Sequence, residues 1–291
     1  MSDAPLFTIV TPTHNRRGDL ERTICSVLDQ QYEGVEHVVV DLGSSDGTAE
    51  MARLYGDCVS YRAVEAGTAP AEAINAALRG ASGDYLAVLP AGDVYLPFAL
   101  QEAAREGAGQ AWLMGRSVRM NERLASTAPL PVDGRGCLSA LLKHEVDPAP
   151  LSTCFIGRDV VATEGLFDAS LLCAFGFEYQ CRLLARGRKC RVIGRPLVAH
   201  CSAEADGPLA TLAGGMEMVL VAYRYAEALH MSERADVWRT CAQRRRVFAL
   251  AAAELQRGWR STLATQRQAE HVTVEHLRRL LLGGGDAAAA A

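Results

Sequence analysis

Three side chains that could bind a charged ligand each follow a short apolar run in the sequence. They are His14, Asp41 and Asp93, and the runs cover residues 6–10, 35–40 and 85–89. An imidazole can stack on a ring, and a carboxylate can accept hydrogen bonds or bind a divalent cation. In an open sheet of parallel strands, ligands bind beyond the carboxyl ends of the strands. The spacing therefore predicts one binding site built from these three strand ends.

Two further residues could do chemistry on the C-terminal side. Glu178 is an acid that could take a proton as a general base, or it could form an ion pair with Arg182 one helical turn later. His200 follows a strand-like run over residues 190–198 and either lies beside a charged ligand or is an ordinary histidine. Both alternatives stay open for each residue.

The runs that carry these residues alternate between strand and helix patterns. Strands are predicted over 6–10, 35–40, 59–63, 85–89 and 112–120, and helices over 19–28, 48–55, 69–79 and 97–106. Successive strand–loop–helix units imply a parallel sheet with right-handed crossovers. Residues 125–136 are predicted to be a loop, and the chain from residue 211 is predicted to be helical almost to its end.

Composition excludes several classes of protein. The 291 residues are 49% hydrophobic and 22% charged, which excludes disordered and collagen-like chains. A net charge of −4 argues against a surface built for nucleic acid. The start of the chain lacks a signal-peptide pattern, no apolar run reaches the roughly 20 residues of a spanning helix, and the nine cysteines contain no CxxC pair. We therefore expect a cytoplasmic protein with free thiols.

A set of short motifs, in order and spacing, resembles the family 2 glycosyltransferases of the GT-A fold. The motifs span residues 8–16, 26–32, 39–41, 43–48, 73–75, 83–85, 93–97, 165–168, 182–184 and 196–197. The resemblance implies an α/β, Rossmann-like, mostly parallel sheet flanked by helices. It also implies binding of a nucleotide-diphosphate sugar of the UDP or GDP type, with Mn²⁺ or Mg²⁺.

The resemblance also implies roles for individual residues. Thr11, Pro12 and His14 fall in the loop that binds the nucleotide, and Asp41 falls on the carboxylate that accepts hydrogen bonds from base or ribose. Asp93 falls at the edge of the metal motif. His200 lies where a histidine often joins the metal and diphosphate, and Glu178 matches the second acid of the general-base segment.

Some of these polar residues could instead have purely structural roles. Asp41 could merely cap the turn that follows it, as Asp46 with Gly47 is expected to do. Asn75 lies on a predicted helix and is expected to brace a loop from inside.

The chain departs from the family pattern at three positions. Gly92 stands where a second metal-motif carboxylate is usual, and Gly176 stands at the usual position of the general base. Residues 68–71 lack the phosphate-binding arginine of some relatives, which leaves Arg16, Arg17 and Arg79 as alternatives by sequence proximity alone, each an ordinary surface charge otherwise.

The chain is divided by these patterns into a GT-A-like domain, a helical extension and a tail. The domain covers 1–205, with a nucleotide half over 1–100 and an acceptor half over 101–205; the extension covers 206–282 and the tail 283–291. The extension is rich in arginine and carries Trp238 and Trp259. It is either a cap over the sheet, a seam between subunits, or a helix that rests on an anionic membrane.

Two functions compete. The first is an inverting glycosyltransferase that moves a sugar to a glycan, lipid-linked or protein acceptor in surface polysaccharide or glycoconjugate synthesis, in the cytoplasm or at the inner face of the membrane. The second is a catalytically impaired GT-A domain that binds a nucleotide, a glycan or a partner. The three departures motivate the second.

Overall fold

The computed structural model describes residues 4–107, 109, 112–119, 134–145, 148–200 and 208–259. The strands are β1 Phe7–Thr13, β2 Val35–Asp41, β3 Ser60–Ala63, β4 Tyr85–Val88, β5 Asp93–Tyr95, β6 Trp112–Arg119, β7 Cys154–Gly157 and β8 Arg191–His200. The helices are α1 Arg17–Leu28, α2 Thr48–Arg53, α3 Pro70–Arg79, α4 Ala99–Gly107, α5 Gly134–Leu142, α6 Arg158–Glu164, α7 Phe175–Ala185, α8 Pro208–Ala226 and α9 Met231–Trp259. The predicted tail, most of the predicted loop 125–136, and the side chain of Trp259 lie outside the described residues.

All the described strands join one mixed sheet in the order β3-β2-β1-β4-β7-β6-β8-β5. β1 pairs in parallel with β2 and β4, and β2 pairs in parallel with β3, as strand–helix–strand units require. β7 runs antiparallel to β4 and β6, while β8 runs parallel to β6 and antiparallel to β5. The predicted mostly parallel α/β sheet is confirmed.

The central strands of the parallel part of the sheet are buried, whereas β3 at its edge is largely exposed. Nearly all of β1 and the whole of β4 are buried. α3 starts on Pro70, whose missing N–H is no loss in a first turn, and it buries Ala71, Ile74 and Leu78 against the sheet. These contacts pack α3 onto the sheet.

The C-terminal helices share the main hydrophobic cluster. Val219 and Ala222 of α8 and Val237 and Cys241 of α9 are buried in the same cluster as Trp112 of β6. The part of the extension that the structure describes is therefore packed onto the sheet domain, with a smaller apolar cluster of its own between the two helices. Within the described residues, we find no helix with the length and apolarity needed to cross a bilayer.

Some predicted boundaries differ from the structure. The helix predicted from Pro97 begins at Ala99, because Phe98 has a φ of 67°, outside the helical region. β5, β7, α5 and α6 were not predicted, since each is a short piece whose pattern is not periodic enough to read.

Candidate functional site

The predicted site residues from four strand ends lie along one edge of the sheet. Thr13, at the end of β1, is paired with Asp41 at the end of β2. Asp93, at the start of β5, is paired with His200 at the end of the antiparallel β8. β6 ends at the same edge, where Arg119 is paired with His200. The prediction that His14, Asp41 and Asp93 share one edge is therefore supported by the strand directions.

The His14 ring is fixed between two loops at this edge. Its Nδ1 lies 3.0 Å from the carbonyl of Leu42, so Nδ1–H donates there, and the Asn15 amide lies 3.1 Å from Nε2. Asn15 has a φ of 51° and also accepts from the backbone N–H of Ser45 at 2.8 Å. Asn15 thus ties the loop after β1 to the loop after β2 and leaves an exposed imidazole face beside Asp41.

Asp41 is a buried carboxylate, 2% exposed, with a partner on each oxygen. The backbone N–H of Ser44 donates to Oδ1 at 2.8 Å, and the Tyr61 hydroxyl donates to Oδ2 at 2.6 Å. Burial and the hydrogen bond to Asp41 raise the pKa of Tyr61, so the hydroxyl stays protonated and donates. Asp41 therefore does cap its turn. A carboxylate has about four acceptor positions, so this leaves capacity for a ligand.

Asp93 and His200 form a pair across the β5–β8 register. The Nδ1 of His200 lies 2.8 Å from Oδ1 of Asp93. Oδ2 of Asp93 has no hydrogen-bond partner among the described residues, and Nε2 of His200 is buried without one. The pair thus presents one carboxylate oxygen and one ring nitrogen that the described part of the chain leaves unsatisfied.

The loop that carries Asp93 is held from three sides. The backbone N–H of Ala91 donates to the carbonyl of Pro12 at 3.0 Å. The buried Thr23 hydroxyl accepts from the N–H of Gly92 at 3.0 Å and donates to the carbonyl of Asp93 at 2.8 Å. Arg16 donates to the carbonyl of Ala91 at 2.7 Å. The role of Thr23 could not be predicted, because a threonine on the buried side of an amphipathic helix carries no signal of its partner.

The residues present fit a divalent cation only as a partial site. The described residues contain no group of three or more histidine, cysteine, aspartate or glutamate side chains placed to hold a metal. Asp93 and His200 offer a carboxylate oxygen and an imidazole nitrogen, a donor set that suits Mn²⁺. Mg²⁺ is also commonly bound through one or two carboxylates together with phosphate oxygens and water. With His200 hydrogen-bonded to Asp93 through Nδ1, the carboxylate offers a cation one oxygen, and further ligands would have to come from a bound diphosphate and water.

Glu178 belongs to a different cluster, between α7 and α8. Its side chain is 3% exposed, and both oxygens accept from Arg182, at 3.1 and 2.7 Å. The Tyr225 hydroxyl donates to Oε1 at 2.5 Å. The ion pair that the sequence offered as the alternative is present. The general-base role of Glu178 stays a prediction, which these contacts do not support.

Gly176 begins the first turn of the same helix and faces another direction. A Cβ at this position would lie 3.5 Å from the Cβ of Leu151, an ordinary contact. Leu151 is in the short 3-10 helix that leads into β7, and β7 starts at the strand-end edge because it runs antiparallel to β4. The backbone thus brings the usual base position near the site, but this chain has no side chain there.

Other predicted residues have local partners. The Thr11 hydroxyl lies 2.8 Å from Nε2 of buried His37, so its side chain is engaged within the sheet. Asp46 accepts from the N–H and hydroxyl of Thr48, as expected of a turn. Asn75 donates to the carbonyl of Phe167 at 2.8 Å and accepts from its N–H at 3.0 Å, and so braces that loop as expected.

Three arginines were considered for binding phosphate, and one of them, Arg79, lies away from the strand-end edge. Arg79 ends α3, which leads into the start of β4, at the opposite edge of the sheet. Arg17 begins α1 and lies over Gly47, while Arg16 contacts the loop that carries Asp93.

The part of the chain that contains His14, Asp41 and Asp93 is similar to a known protein family. The family model for glycosyl transferase family 2 matches residues 8–108. Over residues 8–108, the chain is therefore similar to glycosyl transferase family 2, and we call these residues the family 2 segment. This family 2 segment contains His14, Asp41, Asp93 and the loop clamp at Thr23.

Relatives with curated names match about a third of the chain. The chain is 35% identical over 94 residues to an uncharacterized glycosyltransferase, RP339, of Rickettsia prowazekii, which covers 32% of this chain and 29% of that protein. It is 36% identical over 92 residues to the putative teichuronic acid biosynthesis glycosyltransferase TuaG of Bacillus subtilis, covering 31% of this chain and 36% of TuaG. The chain thus spans only about a third of the length of the curated relatives it matches.

Solved structures extend the likeness over nearly the whole chain. The S. aureus TarS structure in complex with UDP-GlcNAc matches with a TM-score of 0.62 at 15% identity, over 94% of this chain and 80% of that one. The mannosyltransferase PcManGT from Pyrobaculum calidifontis, in complex with GDP-Man and Mn²⁺, matches with a TM-score of 0.55 at 16% identity, over 96% and 86%. The fold is that of the GT-A glycosyltransferases.

Proposed function

We propose that the chain is an inverting glycosyltransferase that moves a sugar from a nucleotide-diphosphate sugar to an acceptor hydroxyl. The observation that carries the proposal is the shared strand-end edge. Along this edge, His14, Asp41 and Asp93 of the family 2 segment lie with His200, which is paired with Asp93.

The nucleotide half of the donor would bind between the loops after β1 and β2. Asp41 has acceptor capacity for an N–H of the base or a hydroxyl of the ribose, and the His14 ring offers a flat exposed face for stacking. Both uracil and guanine carry ring N–H donors, which agrees with a UDP- or GDP-type donor. TarS with UDP-GlcNAc and PcManGT with GDP-Man support the same class of ligand.

Asp93 and His200 would hold a divalent cation against the diphosphate. When bound, the cation supplies positive charge to the departing diphosphate. Among the chain's own residues, Arg16 adds a guanidinium beside the same loop, and Thr23 and Pro12 keep that loop from shifting.

The reaction would form one bond and break one. The acceptor oxygen bonds to the anomeric carbon while the bond from that carbon to the diphosphate oxygen breaks. The nucleoside diphosphate leaves with the bonding electrons, and attack from the opposite face inverts the carbon. The acceptor proton passes to a base. Glu178 is the predicted base, although Arg182 and Tyr225 occupy its carboxylate in this structure.

The acceptor class follows from the relatives more than from the site. A glycan, lipid-linked or protein acceptor in surface polysaccharide or glycoconjugate synthesis, reached in the cytoplasm or at the inner membrane face, is the setting we propose. The name of TuaG supports surface polysaccharide.

A second function, a GT-A domain that binds without turnover, is favoured by one observation. Gly176 has no side chain at the usual base position, and the nearest predicted acid is locked in an ion pair. Such a domain would bind a nucleotide, a glycan or a partner enzyme.

Release of nucleoside diphosphate from a panel that includes UDP-GlcNAc and GDP-mannose separates the two functions. Donor-specific release that rises with an added acceptor supports the transferase. Nucleotide binding without release from any donor or acceptor supports the binding domain. In an active protein, Glu178→Gln with full turnover would remove Glu178 from the base role.

A further inference from the structure

Arg116 of β6 is a half-buried arginine that the fold leaves without a partner. Its Nε is buried and has no hydrogen-bond partner, and its guanidinium forms no ion pair with any of the described residues. A cation taken partly out of water is costly unless an acid, a carbonyl or a ligand compensates for the lost hydration. Packing of the described residues therefore does not explain why an arginine stands here.

The strand registers place Arg116 at the strand-end edge. One row of paired residues crosses β1, β4, β7 and β6, and it consists of Thr8, Leu86, Ile156 and Trp112. β1 and β6 run in the same direction, so four residues further along each strand lie Pro12 and Arg116. Arg116 is thus level with Pro12, one residue before the pair formed by Thr13 and Asp41.

A buried hydroxyl comes to the same part of the edge. β6 and β7 are antiparallel, and their last pair toward the edge is Met114 with Cys154. Two residues beyond this pair are Arg116 on β6 and Ser152 on the short 3-10 helix that leads into β7, and this 3-10 helix contacts β6. Ser152 is 1% exposed, and its Oγ has no hydrogen-bond partner among the described residues. The chain therefore leaves two polar groups unsatisfied at one place.

The same face of the sheet is covered by α7, whose first turn contains the usual position of the general base. Side chains alternate along a strand, so Arg116 shares a face with Met114, which is buried in one cluster with residues of α7. A Cβ at Gly176 would contact Leu151, the neighbour of Ser152. Because Gly176 has no side chain, no carboxylate from this position neutralises Arg116.

We propose that Arg116 and Ser152 bind an oxyanion of the substrate, a phosphate or a carboxylate group, at the strand-end edge. A guanidinium presents planar pairs of N–H donors that match such a group, and a hydroxyl adds one more donor. The inference rests on the proposed function, because it assigns these two residues to the substrate of that same site.

Two parts of the substrate could supply the oxyanion. The first is the diphosphate of the donor, since residues 68–71 lack the phosphate-binding arginine of some relatives. The second is an anionic group on the acceptor, since α7 contains the usual base position.

Calorimetry of the full chain tests the proposal and separates the two sources. The probes are UDP and GDP with Mn²⁺, uridine and guanosine, and inorganic phosphate, alone and after saturation with nucleotide. If the diphosphate is the oxyanion, Arg116→Gln should weaken UDP or GDP binding about tenfold and leave nucleoside binding unchanged. If the group is on the acceptor, nucleotide binding should stay the same. Arg116→Gln should then abolish phosphate binding to the nucleotide-saturated protein.

Ser152→Ala removes the hydroxyl alone. It should weaken the same probe about threefold, because one neutral hydrogen bond is lost. An effect of Arg116→Gln without any effect of Ser152→Ala would remove Ser152 from the site.

Arg79→Gln is the matched control, since Arg79 is exposed at the opposite edge of the sheet. It should leave every affinity unchanged. Thermal unfolding separates binding from a structural role of Arg116. Arg116→Gln should not lower the melting temperature, because it removes a half-buried charge that has no partner.

Unchanged affinities for all the probes in Arg116→Gln would overturn the inference, and so would losses equal to those in Arg79→Gln. If the unsubstituted chain binds neither nucleotide, the donor of the proposed function is wrong. Phosphate binding that depends on Arg116 would still support the inference in that case. Absence of phosphate binding as well would overturn both.

Discussion

Asp93 is the residue whose cation role is most directly measurable. Asp93→Asn removes the charge of a carboxylate whose Oδ2 has no hydrogen-bond partner among the described residues. That charge would hold a cation against the diphosphate. We therefore expect the factor by which Mn²⁺ increases the affinity for UDP or GDP to fall about tenfold. Calorimetry with and without Mn²⁺ measures the effect.

Asp46→Asn is the control for Asp93→Asn. Asp46 lies on a neighbouring loop and accepts from Thr48 and from the N–H of Arg17. Its substitution should leave the Mn²⁺ enhancement unchanged. Equal losses in both variants, or none in Asp93→Asn, would remove Asp93 from the cation site.

Gly176 permits a gain-of-function experiment. A Cβ there meets Leu151 at ordinary contact distance, so Gly176→Asp adds a carboxylate without a clash from Cβ, in a first helical turn where negative charge is favoured. A well-placed general base contributes about 100-fold or more to rate. If a missing base limits turnover, Gly176→Asp should raise nucleoside diphosphate release at least about tenfold.

Gly176→Asn has nearly the same shape and cannot take the proton. It should show the rate of the unsubstituted chain. An equal rate in the aspartate and asparagine variants would mean that position 176 does not supply the base in this protein.

At the scale of elements, α1 positions the Asp93 loop through one hydroxyl. Thr23→Val keeps the shape but leaves the N–H of Gly92 and the carbonyl of Asp93 without this partner. Because both groups are in a tight loop, we expect a loss of about 1–3 kcal/mol in the free energy of unfolding. We also expect weaker Mn²⁺-dependent nucleotide binding.

Thr23→Ser retains the hydroxyl and should restore the Mn²⁺-dependent binding. The comparison uses calorimetry for the nucleotide and thermal unfolding for stability. If valine lowers stability without changing the cation effect, Thr23 supports the fold and does not position Asp93.

Periodicity was sufficient to predict the elements that alternate regularly. The runs at 35–40 and 85–89 form β2 and β4, and Asp41 at the end of β2 lies along the same edge of the sheet as Asp93 at the start of β5. The pairing of Asp93 with His200 could not be predicted, because it depends on the antiparallel register of β5 and β8 across 107 positions of sequence. Of the two partners of Glu178, Arg182 could be predicted because it lies four residues later on the same helix. Tyr225 could not be predicted, because it belongs to α8.

For the whole molecule, His37 links stability to pH. Burial lowers the pKa of His37 to about 4 from its ordinary 6.5. Below pH 6.5 the His37 imidazole is protonated in the unfolded chain but stays neutral in the native chain until about pH 4. The free energy of unfolding therefore falls as the pH drops through that window. The loss attributable to His37 is about 2 kcal/mol between pH 7 and pH 5.

His37→Gln can keep the hydrogen bond to Thr11 and does not titrate. Its stability should fall less than that of the unsubstituted chain between pH 7 and pH 5, as measured by urea unfolding. His230→Gln is the control, since it makes the same substitution at an exposed histidine. Parallel pH profiles for all three proteins would contradict the buried neutral state of His37.

The sheet order also bears on how the polypeptide reaches its native state. Within residues 8–108, β5 has no strand partner and β4 has only β1, since their remaining neighbours are β8 and β7. When only the family 2 segment has left the ribosome, one edge of β4 and the whole of β5 lack strand partners. Unpaired strand edges of this kind favour pairing with other chains. The hydrogen bond between Asp93 and His200 can form only after His200 has been synthesised. The segment that defines the family should therefore aggregate when expressed alone.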